Sequence, residues 1–245
     1  ANVARYAEIV LERALLRGLV HVTGKAMELA RKPQGKTADQ ILDQVQTMVT
    51  GLAERRTRNE PRMLSELLYE FVDAAGRRSE GLDNAISTGV PPLDSMFNGG
   101  FRGAQLIIVA GRPSMGKTAF SSHIGLNMAV SKSVLMFSME MASQEIAGRA
   151  LANRGKVELG KVMGRIAPDD NMAWASITHG CGQIANLKFG VDETPAISLL
   201  ALRMKAKAWK RKHGLDVIIV DYIGLMTGGD GDKRSEQIGS YSRGL

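Results

Sequence analysis

The stretch Leu106-Ile107-Ile108-Val109-Ala110-Gly111-Arg112-Pro113-Ser114-Met115-Gly116-Lys117-Thr118 constrains this chain more than any other. A short unbroken apolar run reads as a buried strand. It passes directly into G-x-x-x-x-G-K-T, the phosphate-binding loop pattern, and then into a helix-like segment from Ala119 to Val130. Gly111 and Gly116 let the backbone turn tightly and bring N–H groups close to an anion. Arg112, Pro113, Ser114 and Met115 span the loop between them. A helix opening near Lys117 turns its positive dipole end to the same point. Lys117 adds a full charge near the β- and γ-phosphates of a nucleotide, and the Thr118 hydroxyl is placed to ligate magnesium. The bland alternative is a Gly-rich turn with a chance Lys-Thr; a strand before and a helix after argue against it.

Three further strands are expected, at Ser133 to Phe137, Leu187 to Val191 and Asp216 to Val220. Helical patterns lie among them, at Ala142 to Asn153 and Ser198 to His213. This alternation implies an α/β fold, a parallel sheet with helices on both faces. Ligands of such sheets bind beyond the carboxyl ends of the strands. The loop, Glu140 and Asp221 all fall there. Asp221 closes the apolar run Val217-Ile218-Ile219-Val220, the position that holds magnesium in phosphate-loop enzymes. Its bland reading is a strand-end Asp capping a turn. Glu140 is the candidate general base for an attacking water; its bland reading is a surface Glu opening the next helix.

The amino-terminal part has a different character. Val3 to Arg31 reads as a long helix, broken at Pro33-Gln34-Gly35. Thr37 with Gln40 forms a capping-box signature for a second helix, whose stripe is Ile41, Leu42, Val45, Met48, Val49 and Leu52. The pair is either a simple helical appendage or an oligomerisation collar. Ala53 to Glu60 reads as a hinge or linker, Pro61 as the first turn of a third helix, and Gly76 to Asp83 as a flexible polar segment. Leu64, Leu67, Leu68, Phe71 and Ala75 line one face of that third helix. The expected domains are residues 1–54, 55–85 and 86–245.

A net charge of +7 suits a polyanionic partner, although charge alone is weak evidence. The lone Cys181 cannot form an internal disulfide and is expected to be a small buried side chain in a reducing, cytoplasmic setting. No run is long and apolar enough for a membrane helix, so no membrane partner is expected. No signal peptide is visible, but the chain opens at Ala1 and need not begin at the native terminus. Lys205, Lys207, Lys210, Arg211 and Lys212 read as a solvated helix face, with phosphate contact as the second reading. His123 and His213 lack ligand-spaced partners, and Trp174 and Trp209 read as packing residues.

Taken together, the motifs resemble the replicative DNA helicases of the DnaB family, with a RecA-like motor. The matching stretches are Ser87-Thr88-Gly89 with Leu93-Asp94, the loop through Ala119-Phe120, and Phe137-Ser138-Met139-Glu140-Met141. Asp192-Glu193-Thr194-Pro195 and Asp221-Tyr222-Ile223-Gly224-Leu225-Met226 continue the match. Tyr6-Ala7-Glu8-Ile9-Val10 to Leu16 resembles the hairpin that ends the family's amino-terminal domain.

The resemblance implies a RecA-like phosphate-loop fold preceded by a helical hairpin and a linker helix. It implies ATP and Mg2+, a homo-hexameric ring, and 5′-to-3′ movement on single-stranded DNA with unwinding at the replication fork. It also implies primase and a helicase loader as partners, Glu140 as the catalytic carboxylate, and the Leu64–Ala75 helix as a clamp on the adjacent subunit. Gly224 departs from the family's usual Gln. The family's γ-phosphate sensor, DNA-contacting loops and arginine finger would follow Leu245, so the chain is expected to be a fragment. A RecA-like recombination ATPase and a non-hydrolysing, ATP-gated scaffold are the competing readings. The hairpin and the stretch around Glu140 argue against the first; the scaffold would have no use for Glu140.

Overall fold

The computed structural model describes residues 2–54, 62–80, 84–164, 166–229 and 233–245. Contacts divide the chain into two units, Ala1–Gly81 and Leu82–Leu245. In the first, α1 (Asn2–Arg31) ends ahead of a turn in which Gln34 and Gly35 take positive φ of 50° and 81°. The capping box then opens α2 (Ala38–Glu54): the Thr37 amide donates to Gln40 Oε1 at 3.0 Å, and the Gln40 amide donates to Thr37 Oγ1 at 3.3 Å. α1 and α2 pack closely enough that a Cβ on Gly18 would meet a Leu52 methyl at 2.5 Å. These residues lie at similar distances from the turn, so the hairpin is antiparallel. α3 (Leu64–Ser79) buries no residue.

The expected flexible segment Gly76 to Asp83 is corrected in its first half, because α3 continues through Gly76 to Ser79. Arg77 pairs with Asp73 one turn back, and Arg78 lies over the Phe71 ring at 5.4 Å. These contacts reach back one turn (i,i+4) and two turns (i,i+7) along α3 and support its continuation past the glycine. Ala53 and Glu54 of the expected linker belong instead to the last turn of α2, while its residues 55–60, Pro61 and residues 81–83 lie outside the described residues.

The second unit runs α4 (Pro91–Met96), α5 (Lys117–Met128), β1 (Val134–Ser138), α6 (Ser143–Gly155), α7 (Leu159–Met163) and α8 (Asn171–Ile184). It continues with β2 (Phe189–Asp192), α9 (Leu199–His213), β3 (Val217–Asp221), a 3-10 turn at Ile223–Leu225 and α10 (Arg234–Gly244). The strands form a parallel sheet in the order β2-β1-β3. β1 is central and all five of its residues are buried. Its side chains alternate between two helix layers, as strand geometry requires. Val134 packs with Met128 at the end of α5, while Leu135 and Phe137 pack with Leu202 and Ala206 of α9. Helices thus cover both faces.

The first of the expected strands is corrected. Leu106 to Ala110 joins no ladder; Ile108 is 76% and Leu106 54% exposed. An apolar run specifies that a segment needs cover, but not what provides it. β3 pairs only with β1, and among the described residues no strand flanks its other side. A run suited to a sheet interior would there have one edge open to water. Cys181 is also corrected: it is exposed. α8 turns Ala173 and Gly180 inward, two turns apart on one face, and Cys181 falls beside that face.

Ser87-Thr88-Gly89 and Asp94 form one polar knot. Asp94 Oδ1 accepts from the Thr88 amide at 2.8 Å and its hydroxyl at 2.6 Å, and Oδ2 accepts from Ser87 Oγ at 2.6 Å. Burial acts to raise the Asp94 carboxyl, but the donors on Ser87, Thr88 and Gly89 outweigh it and hold it below its ordinary range. Thr88 is fully buried, so Asp94→Ala leaves its polar groups short of a partner and should cost about 1–3 kcal/mol. Because the folded pKa is depressed, the contribution of Asp94 is complete above its unfolded value near 4 and is lost as pH falls through the folded value. Urea denaturation should therefore show the gap between native and variant proteins closing in acid. A gap that persists unchanged in acid would contradict this assignment.

Candidate nucleotide site at the carboxyl edge of the sheet

The loop at residues 111–116 is exposed and takes its shape from two left-handed residues, Ser114 at φ 62° and Gly116 at φ 84°. A left-handed residue next to right-handed or turn backbone aims successive amides into a concavity suited to an anion. Gly116 is the N-cap of α5 and offers no side-chain cap. The first amides of the helix therefore have no intrahelical partner and face the loop. Lys117 Nζ donates to the carbonyls of Gly111 at 3.1 Å and Arg112 at 3.3 Å, which holds the ammonium over the loop.

Three contacts fix the direction of α5. Met128 packs with Val134 at the start of β1, while Ser122 Oγ reaches Met136 Sδ at 3.7 Å, further along the strand. Between them, Gly125 lies so close to β3 that a Cβ would meet Ile219 Cδ1 at 2.6 Å. The helix thus runs antiparallel to the strands. Lys117 and Thr118 are carried towards the carboxyl edge, where β1 and β3 end.

At that edge the register pairs Ser138 with Asp221. The Met139 amide donates to the Asp221 carbonyl at 2.9 Å, extending the ladder by one bond. Glu140 is the next residue and is exposed. Asp221 is 6% exposed, and its Oδ2 has no hydrogen-bond partner among the described residues. A buried carboxylate oxygen without a donor is costly unless a cation or water meets it. That chemistry fits magnesium, which takes one or two carboxylates and completes its shell with phosphate oxygens and water. Among the described residues no cluster of three His, Cys, Asp or Glu could hold a metal unaided.

The turn after β1 has contacts that the sequence reading passed over. Ser138 Oγ donates to the Met141 carbonyl at 2.8 Å and accepts from the Met141 amide at 3.2 Å, bracketing Glu140. Glu193 accepts from the Ser143 amide at the start of α6. The Ser143 amide and hydroxyl hold the Glu193 carboxyl below its ordinary range. Ser138 and Glu193 both stand in the quoted motifs, but nothing in their spacing tells which backbone they meet.

The basic run on α9 separates into two kinds of residue. Lys205 donates to Asp192 Oδ2 and Thr194 Oγ1, both at 2.5 Å, whereas Lys207, Lys210, Arg211 and Lys212 are exposed and make no such bond among the described residues. Burial acts to raise the Asp192 carboxyl, and donors on Lys205 and Thr194 bring it below its ordinary range. Trp209 donates to Ser133 Oγ at 3.1 Å and covers Gly190, so it packs against the sheet.

The chain matches the DnaB-like helicase C terminal domain family over residues 85–245. Replicative DNA helicase DnaB of Geobacillus stearothermophilus is 31% identical over 253 residues, spanning 100% of this chain and 54% of the relative. Replicative DNA helicase DnaC of Bacillus subtilis is 30% identical, with the same coverage. The chain thus spans about half the length of the curated relatives it matches. Among solved structures, a DnaB-like replicative helicase studied with its primase interactions aligns at a TM-score of 0.71 and 22% identity, over 99% of this chain and 56% of that one. A second solved structure, of an ATPase domain, aligns at 0.66 and 26% identity, over 76% of this chain and 66% of that one. These likenesses agree with a RecA-like parallel sheet.

Among the described residues Lys117 Nζ bonds to two loop carbonyls and to no core group, so Lys117→Ala should leave the fold intact. It should remove most nucleotide affinity, read by titration with a fluorescent ATP analogue. Native-like affinity in a folded variant would place the nucleotide elsewhere.

Proposed function

We propose, for a chain that belongs to the DnaB-like helicase family, that it forms the motor of an ATP-dependent replicative DNA helicase. The protein moves 5′ to 3′ on single-stranded DNA as a homo-hexameric ring and unwinds the duplex at the replication fork. Residues 1–54 are the end of an amino-terminal domain, residues 55–85 a linker with a docking helix, and residues 86–245 the RecA-like ATPase. Primase and a helicase loader are its partners, and the cytoplasm is its compartment. No helix among the described residues is long and apolar enough to cross a membrane. The observation that carries this reading is the shared edge: an anion-suited loop, a buried carboxylate with an oxygen unpartnered among the described residues, and an exposed Glu, all at the carboxyl ends of one parallel sheet.

The roles follow from position. Amides of the loop from Gly111 to Gly116 and of the first turn of α5 receive the phosphates, and Arg112, Pro113, Ser114 and Met115 shape that cradle. Lys117 exchanges two neutral carbonyls for phosphate oxygens, a stronger charge-assisted pairing. Thr118 and Asp221 would hold magnesium, which when bound neutralises charge on the β- and γ-phosphates. Glu140 orients the attacking water and accepts its proton. A positive charge from a neighbouring subunit would complete the site, a contribution of about 10³ to 10⁵ in rate in well-studied GTPases.

Strand displacement on forked DNA, together with ATPase with and without single-stranded DNA, tests the proposal. A DNA-stimulated ring that unwinds the fork is expected. A DNA-coating filament would point to a recombinase, and an inert ring to a scaffold. Glu140→Gln keeps shape but cannot accept the proton, so hydrolysis should fall by about 10²-fold or more while nucleotide binding persists. Equal loss of both would make Glu140 structural.

Assembly supplies a second test. Leu64, Leu68 and Phe71 of α3 are 71%, 53% and 61% exposed. Burying each such side chain stabilises an interface by about 1.5–3 kcal/mol. Leu68→Asp with Phe71→Ser should therefore break the ring and abolish ATPase in the assembled protein, with circular dichroism unchanged. A double variant that sizes as a hexamer with normal turnover would refute the clamp.

A further inference from the structure

We infer that Glu193 is a positioning residue for Glu140, acting through the amino end of α6; the inference rests on the role proposed above for Glu140. Glu140 lies in a short turn between β1 and α6, and both ends of that turn are tied. At its start, the Met139 amide is bonded to Asp221, and Ser138 Oγ grips Met141 in both directions. At its far end α6 begins with no cap of its own: Ala142 occupies the N-cap position and offers no side-chain acceptor. Glu193 supplies that acceptor from beyond the end of β2, taking the Ser143 amide at 2.5 Å. A carboxylate there also suits the positive end of the helix dipole.

Glu193 is itself held on a fixed base. It follows Asp192, the last residue of β2, and Asp192 is clamped by Lys205 of α9 at 2.5 Å. The Thr194 amide donates back to Asp192 Oδ1 at 3.0 Å, and Lys205 also donates to Thr194 Oγ1. The residues on both sides of Glu193 are therefore anchored to one lysine. β2 lies directly beside β1, with Phe137 opposite Asp192 in the ladder. The position of Ser143, and with it the far end of the Glu140 turn, is thus referred to the sheet through a second route, independent of the β1–β3 contact. The bonds of Glu193 go to Ser143 and not to the loop or Lys117. Its loss should loosen the placement of the base without altering the phosphate cradle.

The test uses the assembled protein and steady-state ATPase. Glu193→Ala should lower kcat by about 10-fold or more, the scale expected when a reacting group loses its placement, with KM within about twofold. Glu193→Gln keeps an acceptor oxygen and should recover most of the loss. Glu193→Ala added to Glu140→Gln should cause no further drop, because a residue that acts through Glu140 has nothing left to position. Ser143→Pro serves where Glu193→Ala fails to fold. Proline is favoured at the first helical position, and Ala142 at φ −66°, ψ 149° already has the backbone that a following proline requires. This variant removes the donated amide without disturbing α6 and should reproduce the kcat defect. Normal turnover in Glu193→Ala or Ser143→Pro, while Glu140→Gln is inactive, overturns the inference and leaves the role of Glu140 standing. Additive losses in the double variant also overturn it. Full activity in Glu140→Gln would instead refute the role of Glu140.

Discussion

The parallel ladder between β1 and β3 determines where every charged group of the site can stand. Its last paired residues are Ser138 and Asp221, and the Met139 amide adds one more bond to the Asp221 carbonyl. A parallel pairing in fixed register brings both chains out of the sheet at the same edge and the same level. Asp221 and the turn bearing Glu140 are therefore neighbours by construction. A slip of one residue would turn the Asp221 side chain to the other face. The packing of Val217 and Ile219 in the cluster of Met128 on one face, and of Val220 in the cluster of Leu202 and Ala206 on the other, resists that slip, since it would exchange the two sets.

The same ladder seats the phosphate loop. α5 meets the sheet through Met128 against Val134 and through two small positions, Ser122 against Met136 and Gly125 against Ile219 and Phe189. Gly125 permits an approach that any Cβ would block. The close contact fixes the helix direction and carries its uncapped amino end to the edge where Asp221 lies. An anion at that end meets partial positive charge from the helix, full charge from Lys117 and, on the far side, a carboxylate. Phosphate and carboxylate repel unless a cation lies between them, and Asp221 Oδ2, which has no partner among the described residues, is the oxygen open to one.

The sequence was most readable where one residue type has a single physical use. Gly116 before Lys117-Thr118 foretold a tight turn opening a helix, and the turn is made there with Gly116 at φ 84°. Thr37 and Gln40 foretold a reciprocal cap, and both bonds form. Apolar runs were readable as strands only when their neighbours were present. Val134–Ser138 has a partner on each side, whereas Leu106 to Ala110 has none in the ladder and stays largely exposed. Hydrophobicity alone could not distinguish them. The contacts of Lys205, Glu193 and Ser138 were unreadable for another reason. Those of Glu193 join residues whose proximity depends on strand order, and no local pattern states that β2 lies beside β1. Those of Lys205 and Ser138 depend on how a helix or turn folds back on the strand end, which spacing leaves open.

Gly224 shows how the segment beyond Asp221 keeps its place without a side chain where a glutamine was expected. A Cβ at Gly224 would meet Tyr222 Cε2 at 2.6 Å and Cδ2 at 2.9 Å, so the tyrosine ring fills the space a larger residue would use. The backbone is held from α10 instead. Arg234 donates to the carbonyls of Gly224 and Met226, and Tyr241 Oη donates to Met226 at 3.1 Å while accepting from the Gly229 amide at 2.9 Å. Met226 and Tyr241 are almost fully buried, which anchors this network in the core beside α9. The peptide leaving β3 is thus fixed by bonds to its carbonyls, which any residue can offer. The position of Asp221 does not depend on the side chain at 224, and a glutamine there would first have to displace the Tyr222 ring.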